Sequence, residues 1–330
     1  YYMSDKPKIG RDGDYYTSPY VGSIMGDMLG NCIVRMAGEG IAPEPLRIME
    51  WGAGPGRLAG QILRRLHDLA PELHARSEHI LADVSPYHRS LWDQLPEPHR
   101  SVLRAASADE LAACRAPLLG LAHELLDAFP VHRIKRCGGR LFELHVGWDH
   151  REERFVEQLL PLRHPDVIRF LQEEKIEPAE GQILEVPLDA VDWWRRTLAA
   201  LPRGSSLIAI DYGDTSDELY ATHRMHGTLM CYRGHRADDD PYSHVGEKDI
   251  TAHVNFTPLM RISGELGWEV LFYASQKQFL LDCGLLEELR RPASTDPFAP
   301  DRRRNRSIAQ LLLTDGMSER FKVLVVHNRK

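Results

Sequence analysis

Short apolar runs recur along the chain, and helix-length stretches such as Arg57–Ala70 separate the first five of them. The runs predict strands at these positions: Leu46–Trp51, His79–Asp83, Ser101–Ala105, Leu118–His123, Ser206–Tyr212, Trp268–Ala274 and Phe321–His327. Strands that alternate with helices are typical of a mostly parallel sheet with helices on both faces. We therefore expect an α/β protein in which a late strand is inserted antiparallel beside its neighbour.

Residues 18–38 predict an amphipathic helix near the start of the chain. Ser18 is a suitable N-cap and Pro19 suits the first helical position. Apolar residues then recur at helical spacing from Val21 to Met36, and Gly38 offers a stop. We interpret this stripe as core packing.

The alternation of apolar runs with helix-length stretches stops between Val131 and about Glu185. Apolar and polar residues alternate about Gly138–Gly139, which predicts a hairpin, and a helix-like "HPDVIRFLQEEK" follows. We expect an insertion on the open edge of the sheet near the strand ends. This divides the chain into a first half of the core (1–130), an inserted substrate region (131–185) and a second half of the core (186–330) with a long loop insertion at 213–256.

The segment "RIMEWGAGPGRLAGQIL" predicts a strand, a tight turn and a helix, which is how a chain brings its backbone against a nucleotide. Its glycines Gly52, Gly54 and Gly56 form G-x-G-x-G. The fingerprint for NAD requires a further glycine where Arg57 stands, and the G-K-[ST] of a phosphate-binding P-loop is absent from the sequence. A turn that only packs the helix on the strand is the structural alternative.

Two acidic residues narrow the choice of nucleotide. Glu50 precedes the glycine turn and Asp83 ends the next strand, so both are expected in the crevice at the carboxyl ends of the strands. Asp83 can accept both ribose hydroxyls of an adenosine. An acid beside the turn disfavours a phosphate-bearing ligand and suits a cationic one. These features favour S-adenosylmethionine, which carries a sulfonium and an ammonium, without deciding the matter.

Composition and the absence of certain motifs argue against several other classes of function. The 330 residues carry a net charge of -7, which argues against a dedicated nucleic-acid binder. The apolar runs are too short for the roughly 20 residues of a membrane span. The five cysteines form no C-x-x-C motif, the histidines form no H-E-x-x-H, and we expect reduced thiols and no metal site. The opening "YYMSDKPKIG" lacks an initiator Met, so we expect the chain to start inside a longer native sequence.

Several longer motifs carry a resemblance to a known family. They are "GDYYTSPYVGSIMGDMLG", "MEWGAGPGRL", "ADVSP", "HELLDAFPVHR", "IDYG" and "GTLMCYRGH…PYSHVGEKDITAHVNF", in this order from about Gly13 to Phe256. Together they resemble the MidA-like class I methyltransferases, which include the mitochondrial complex I assembly methyltransferase. The resemblance implies a Rossmann-like fold with a seven-stranded sheet, S-adenosylmethionine as cofactor and S-adenosylhomocysteine as product.

The resemblance also implies which residues hold the cofactor. Asp83 would bind the ribose, and Glu124 would lie near the methyl end. The methionine part would be held by Glu50, Gly52, Gly54 and Gly56. Thr17 and Ser18 match a loop that closes over the cofactor, although their hydroxyls suit a helix N-cap equally well.

The acceptor that the resemblance implies is an arginine side chain of a protein, namely a complex I subunit. A guanidinium stays charged at neutral pH, so a pair of carboxylates is expected to orient it and take its proton. We assign these roles to Glu124 first and to Asp127 next. His123 stands where the family usually has Asn, and Tyr20 stands where an acid is common. Both departures bear on the acceptor more than on the cofactor.

Three further residues are candidates for the substrate side. His253 and Asn255 are either polar substrate contacts or a hydrogen-bonded brace of their loop. Asp211 ends the fifth strand, where a structural role is as plausible as a catalytic one.

Three functions follow from these features. The first is a protein arginine N-methyltransferase with a protein partner, in the cytoplasm of a bacterium or the mitochondrial matrix of a eukaryote. The second is a methyltransferase with a small-molecule acceptor. The third is a non-catalytic assembly factor that retains the fold. A homodimer is compatible with each of them.

Overall fold

The computed structural model describes residues 1–11, 13–95, 103–105, 115–291, 296, 299–313 and 317–329. The strands are β1 Arg47–Trp51, β2 Glu78–Ala82, β3 Leu103–Ala105, β4 Leu119–His123, β5 His132–Cys137, β6 Arg140–Asp149, β7 Arg154–Pro161, β8 Ile183–Val186, β9 Ser206–Asp214, β10 Met230–Arg233, β11 Arg236–Asp238, β12 Asp249–Thr251, β13 Val254–Asn255, β14 Glu269–Ser275 and β15 Phe321–His327.

The α-helices are α1 Ser18–Val21, α2 Ile24–Gly38, α3 Arg57–Leu69, α4 Pro71–Ala75, α5 Pro86–Ser90, α6 Pro165–Glu173, α7 Leu188–Ala200, α8 Ser216–Leu219, α9 Phe256–Glu265, α10 Gln276–Asp282, α11 Pro300–Leu313 and α12 Met317–Arg320. Short 3₁₀ turns cover Trp92–Gln94, Leu126–Ala128 and Leu285–Glu288.

The central sheet has the strand order β14-β15-β9-β4-β1-β2-β3. The strands from β9 to β3 are parallel, and β15 pairs antiparallel with both β9 and β14. The mostly parallel sheet and its late antiparallel strand are therefore confirmed. The eighth strand, β13, pairs with the end of β9 and was not predicted. Residues 101–102 of the predicted third strand lie outside the described residues.

Apolar side chains fill both faces of this sheet. Helices α2, α3 and α10 pack on one face through residues such as Met28, Ile62 and Phe279. Helices α7 and α9 cover the other face, where Trp194 and Phe256 are completely buried. Because helices cover both faces, the open part of the sheet is the edge where the strands end.

The predicted helix over 18–38 is interrupted, which corrects the expectation of one continuous helix. Gly22 is fully extended between α1 and α2, and Ser18 lies inside α1, while the backbone of Thr17 occupies the N-cap position. The side-chain amide of Gln61 on α3 donates hydrogen bonds to the Pro19 and Gly22 carbonyls, at 2.9 and 3.2 Å. Because these contacts come from α3, we attribute the break between α1 and α2 to their packing against α3.

The inserted region forms a second, antiparallel sheet with the order β7-β6-β5-β8. The predicted hairpin turns at Gly138–Gly139, where both residues have positive φ, and the predicted helix is α6. Strands β7 and β8 were not predicted. The insertion leaves the core after β4, at the carboxyl end of a strand in the middle of the sheet order.

The segment 213–256, expected as a long loop, also contains regular structure. Strands β10, β11 and β12 form a small antiparallel sheet, and α8 precedes it. Of the described helices, none is both long enough and apolar enough to cross a bilayer.

Candidate active site

A cavity of about 1600 Å³ opens where β1, β2 and β4 end. The glycine turn and the residue after β2 form one side of it. The amino-terminal segment up to Tyr20, the helix α7 and the segment from Thr228 to His253 contribute the remaining walls. The cavity therefore combines the predicted cofactor crevice with elements that lie outside it in sequence.

The glycine turn adopts a backbone that favours glycine at each of its three glycine positions. Gly52, Gly54 and Gly56 have φ angles of 66°, 54° and 76°, a region that other residues rarely adopt. Gly56 caps the start of α3. Because Gly54 has no side chain and lines the cavity, a ligand can approach its backbone closely.

Asp83 is fixed against this turn. Its Oδ2 accepts a hydrogen bond of 2.8 Å from the Gly54 backbone N, and its Oδ1 accepts one of 2.7 Å from the Ser85 N. Nδ1 of His88 lies 3.3 Å from Oδ2. The carboxyl group thus lines the cavity in a fixed orientation, where two ribose hydroxyls could donate to it.

Glu50 precedes the glycine turn and lines the cavity on the other side of this turn from Asp83. Its carboxyl group is buried, and Oε2 lies 3.3 Å from Nε2 of His79. Oε2 nevertheless makes no hydrogen bond within the described part of the chain. Glu50 lines the cavity beside the glycine turn, where a carboxyl group suits the cationic methionine part of S-adenosylmethionine.

Glu124 follows β4 with a left-handed backbone, φ 51°, which is uncommon for a residue other than glycine. Its backbone N donates to the Ile210 carbonyl at 2.9 Å, which holds this conformation. Its Oε1 accepts from the Ser18 N at 3.3 Å and lies 3.6 Å from His123 Nε2. Burial, and then the neighbouring Asp127 carboxyl, raise the pKa of Glu124 to about 8.

Asp127 lies in the next turn and also faces the cavity. Burial raises its pKa well above the ordinary value, and the carboxyl groups of Asp211 and Asp249 raise it further. The structure therefore brings Glu124 and Asp127 together in the lining of one cavity. Both side chains are almost completely buried.

Asp211 lies behind this wall, outside the described lining of the cavity. Its Oδ2 accepts hydrogen bonds from the backbone N of Leu125 at 3.1 Å and of Leu126 at 2.8 Å. Burial raises its pKa to about 7. Of the two roles that the sequence left open, these hydrogen bonds favour the structural one, because Asp211 holds the turn that carries Glu124 and Asp127.

Asn255 is likewise placed as a brace and not as a lining residue of the described cavity. Its Oδ1 accepts from the Thr257 N at 3.1 Å, which caps α9, and its Nδ2 donates to Ser216 Oγ at 2.9 Å. His253 does line the cavity, stacked against Tyr212, and burial lowers the pKa of His253 to about 4. Only one of this pair is therefore placed to meet an acceptor.

Thr17 and Ser18 are placed differently from one another. Thr17 lines the cavity, and its side chain makes no cap hydrogen bond. Ser18 touches the site through its backbone N, which donates to Glu124, while the residue lies outside the described cavity lining.

Several lining residues were not predicted as part of the site. Tyr2 donates through its hydroxyl to Asp249 Oδ1 at 2.5 Å, and both residues face the cavity. Trp193 stands edge-on to Trp51 with ring centroids 5.6 Å apart and also lines the cavity. Asp249 was visible as an acid in "GEKDITAHVNF", but no local pattern indicates its contact with Tyr2.

The family can now be identified from comparison with known proteins. Residues 28–274 match the model of a family described as "Putative S-adenosyl-L-methionine-dependent methyltransferase". The chain belongs to this family. The match and the relatives below support its assignment to the MidA-like methyltransferases.

Two curated relatives and one solved structure extend the comparison. The chain is 25% identical to "Protein arginine methyltransferase NDUFAF7 homolog, mitochondrial" of Drosophila melanogaster, over 81% of this chain and 63% of the relative. It is 24% identical to "Protein arginine methyltransferase NDUFAF7, mitochondrial" of Danio rerio, over 99% of this chain and 79% of the relative. The alignment with the Drosophila protein thus spans under two-thirds of that protein.

The solved structure is a COG1565 superfamily member from Burkholderia thailandensis bound to S-adenosyl-homocysteine. It is 29% identical with a TM-score of 0.85, over 97% of this chain and 81% of that chain. These findings identify the class I methyltransferase fold and S-adenosylmethionine as the cofactor of the family. Among the described residues, no group of three or more potential metal ligands is clustered.

Proposed function

We propose that the protein transfers a methyl group from S-adenosylmethionine to an arginine side chain of another protein. The observation that carries the proposal is the pair of buried carboxyl groups, Glu124 and Asp127, in the cavity that also contains the glycine turn and Asp83. Buried carboxyl groups of raised pKa favour a ligand that brings positive charge. A guanidinium brings that charge together with a fork of N–H donors that matches carboxylate oxygens.

The residues of this chain divide into two groups around the cavity. Glu50 and the glycine turn would hold the methionine part of the cofactor, and Asp83 would hold its ribose. When bound, S-adenosylmethionine supplies a methyl carbon that its sulfonium activates toward a nucleophile. The carboxyl groups of Glu124 and Asp127 would then face the acceptor.

Glu124 has two tasks in this proposal. Its carboxylate orients the guanidinium, and a positive charge beside it lowers the raised pKa so that it is ionised when the acceptor is bound. Methylation of one guanidinium nitrogen releases one proton, and we assign its acceptance to Glu124. Asp127 keeps a second carboxyl group beside the same site, and Asp211 fixes the turn that carries both.

The relatives support the acceptor class. Two curated relatives are named protein arginine methyltransferases, at 25% and 24% identity. By the family resemblance, a complex I subunit is the leading acceptor. The names of these relatives place them in mitochondria, so we propose the mitochondrial matrix for a eukaryotic source and the cytoplasm for a bacterial one.

A methyl-transfer assay tests the proposal. Purified protein is incubated with methyl-tritiated S-adenosylmethionine and with matched peptides that differ only in one central arginine or lysine, and with a metabolite fraction. We expect label in the arginine peptide, and a rate at least a hundredfold lower for Glu124→Gln with cofactor binding retained. Label confined to metabolites would favour a small-molecule acceptor. Cofactor binding without any transfer would favour a non-catalytic assembly factor.

A further inference from the structure

An exposed apolar strip lies on the inserted hairpin, outside the cavity. The strip consists of Val146 and Trp148 on β6 and of Phe155 and Leu159 on β7, with exposed fractions from 37% for Phe155 to 59% for Val146. The rings of Trp148 and Phe155 meet edge-to-face with centroids 5.0 Å apart. Exposed apolar side chains that are grouped on one face and bordered by polar residues often mark interaction sites.

Strand pairing places all four side chains on one face of the second sheet. Trp148 pairs with Phe155 and Val146 with Glu157, and alternate residues of a strand share a face. Arg133 of β5 forms an ion pair with Glu157 and pairs in register with Glu185 of β8, so these residues share that face as well. On the opposite face, Ile134 of β5 and Leu184 and Val186 of β8 are buried under α6, while the β7 end of that face is exposed.

The face that carries the strip turns toward the cavity. Glu185 accepts hydrogen bonds from the backbone N and the hydroxyl of Thr228 at 2.9 and 3.2 Å, and Thr228 lines the cavity. Glu157 also accepts from the Tyr242 hydroxyl, at 3.1 Å, which ties the hairpin to the segment that walls the site. With strands about 4.8 Å apart and about 3.3 Å per residue, the strip extends from roughly 12 Å to roughly 20 Å from Glu185 at this wall.

We propose that the strip binds the acceptor protein. It contacts apolar side chains of the acceptor that lie about five or six residues from the arginine that enters the cavity. This inference rests on the proposed function. The charges define the occupant: the carboxyl groups of Glu124, Asp127 and Asp249 in the cavity require a cation on the acceptor, while the strip offers it an apolar contact. An extended segment of that length spans the distance between the two.

The test measures binding separately from methyl transfer. Fluorescent peptides carry one arginine and a Leu-Trp-Leu cluster two, six or twelve residues away on either side, and their Kd values are measured by anisotropy with S-adenosylhomocysteine present. We expect the six-residue spacing to bind at least fivefold more tightly than the two-residue spacing. The double variant Trp148→Ser/Phe155→Ser should remove this gain. A lysine in place of the arginine should weaken binding at every spacing.

The matched control is Leu160→Ser, because Leu160 is similarly exposed on the same strand but pairs with Glu143 on the opposite face. It should bind the peptides as the wild type does. Equal affinity at all spacings, equal loss in the control, or no peptide binding would each overturn the inference. A wild-type dimer in analytical ultracentrifugation, with a monomeric double variant, would also overturn the inference, because a second copy of the chain would then cover the strip. Spacing-dependent binding without methyl transfer would contradict the proposed function and leave the docking surface in place.

Discussion

The carboxyl group of Glu124 sets a pH dependence that the acceptor should change. Burial and Asp127 raise its pKa to about 8 in the structure, and only its ionised form can take a proton from the acceptor. Rising pH increases the ionised fraction, so kcat/KM for an arginine peptide should rise about tenfold per pH unit below pH 8 and level off above it. The profile of kcat should level off at lower pH, because the bound guanidinium lowers the pKa of Glu124.

Initial rates between pH 6 and pH 9.5 measure both profiles, and calorimetric titration with S-adenosylmethionine over the same range is the control. A kcat/KM that stays constant from pH 6 to pH 9 would show that Glu124 does not act as the base.

Asp83 carries the second prediction at the residue scale. Asp83→Asn keeps the shape of the side chain but removes the charge that we expect to accept the ribose hydroxyls. Loss of one charge-assisted hydrogen bond, about 1.5–3 kcal/mol, should weaken binding of S-adenosylmethionine about ten- to a hundredfold by calorimetry. Glu78→Gln is the matched control, because Glu78 begins the same strand and pairs there with Arg47 and Arg104. Unchanged affinity in Asp83→Asn would contradict the ribose assignment.

At the scale of elements, α9 depends on a cap that also joins it to the segment after β9. Asn255 caps α9 and exchanges hydrogen bonds with the buried Ser216. Asn255→Ala should lower the free energy of unfolding by about 1–3 kcal/mol, because it removes the cap and leaves Ser216 without this partner. Denaturant titration measures this, with the more exposed cap variant Ser275→Ala expected to cost about 1 kcal/mol or less.

Affinity for S-adenosylmethionine should stay within twofold in Asn255→Ala, because the residue lies outside the described cavity lining. A large loss of methyl transfer in a variant of unchanged stability would instead place Asn255 on the substrate side.

Elements encoded by local signals were predictable, and those set by distant contacts were not. The turn at Gly138–Gly139 follows from its own two residues. Strand β7 was missed because apolar residues occur on both of its faces, so its sequence lacks clean alternation. The break at Gly22 depends on Gln61, 39 residues away along the chain.

In the candidate site, too, some features follow from local sequence patterns and others depend on distant contacts. The glycine turn and Asp83 stand at strand ends that the apolar pattern locates, and the paired carboxyl groups lie three residues apart. The contact between Tyr2 and Asp249 joins residues 247 positions apart, and the place of Asp211 behind the wall depends on side-chain direction at the end of β9. Neither is encoded in a local pattern.

At the scale of the whole molecule, the sheet supplies the cofactor crevice, and we propose that the insertions supply the acceptor side. The glycine turn, Asp83 and Glu124 follow three neighbouring parallel strands, so the fold alone brings them together. The segment 213–256 then supplies a wall that the core lacks, and the second sheet contacts this wall through the hydrogen bonds between Glu185 and Thr228. We therefore propose that these insertions recognise the acceptor, while the methyl-transfer chemistry belongs to the core.

Tandem mass spectrometry of a peptide that contains one arginine and one lysine, after incubation with S-adenosylmethionine, tests the central claim most directly. The account predicts a methyl group on a guanidinium nitrogen with the wild type, and at most a trace with Glu124→Gln. A methyl group on the lysine or another side chain, or an equal yield from Glu124→Gln, would contradict it.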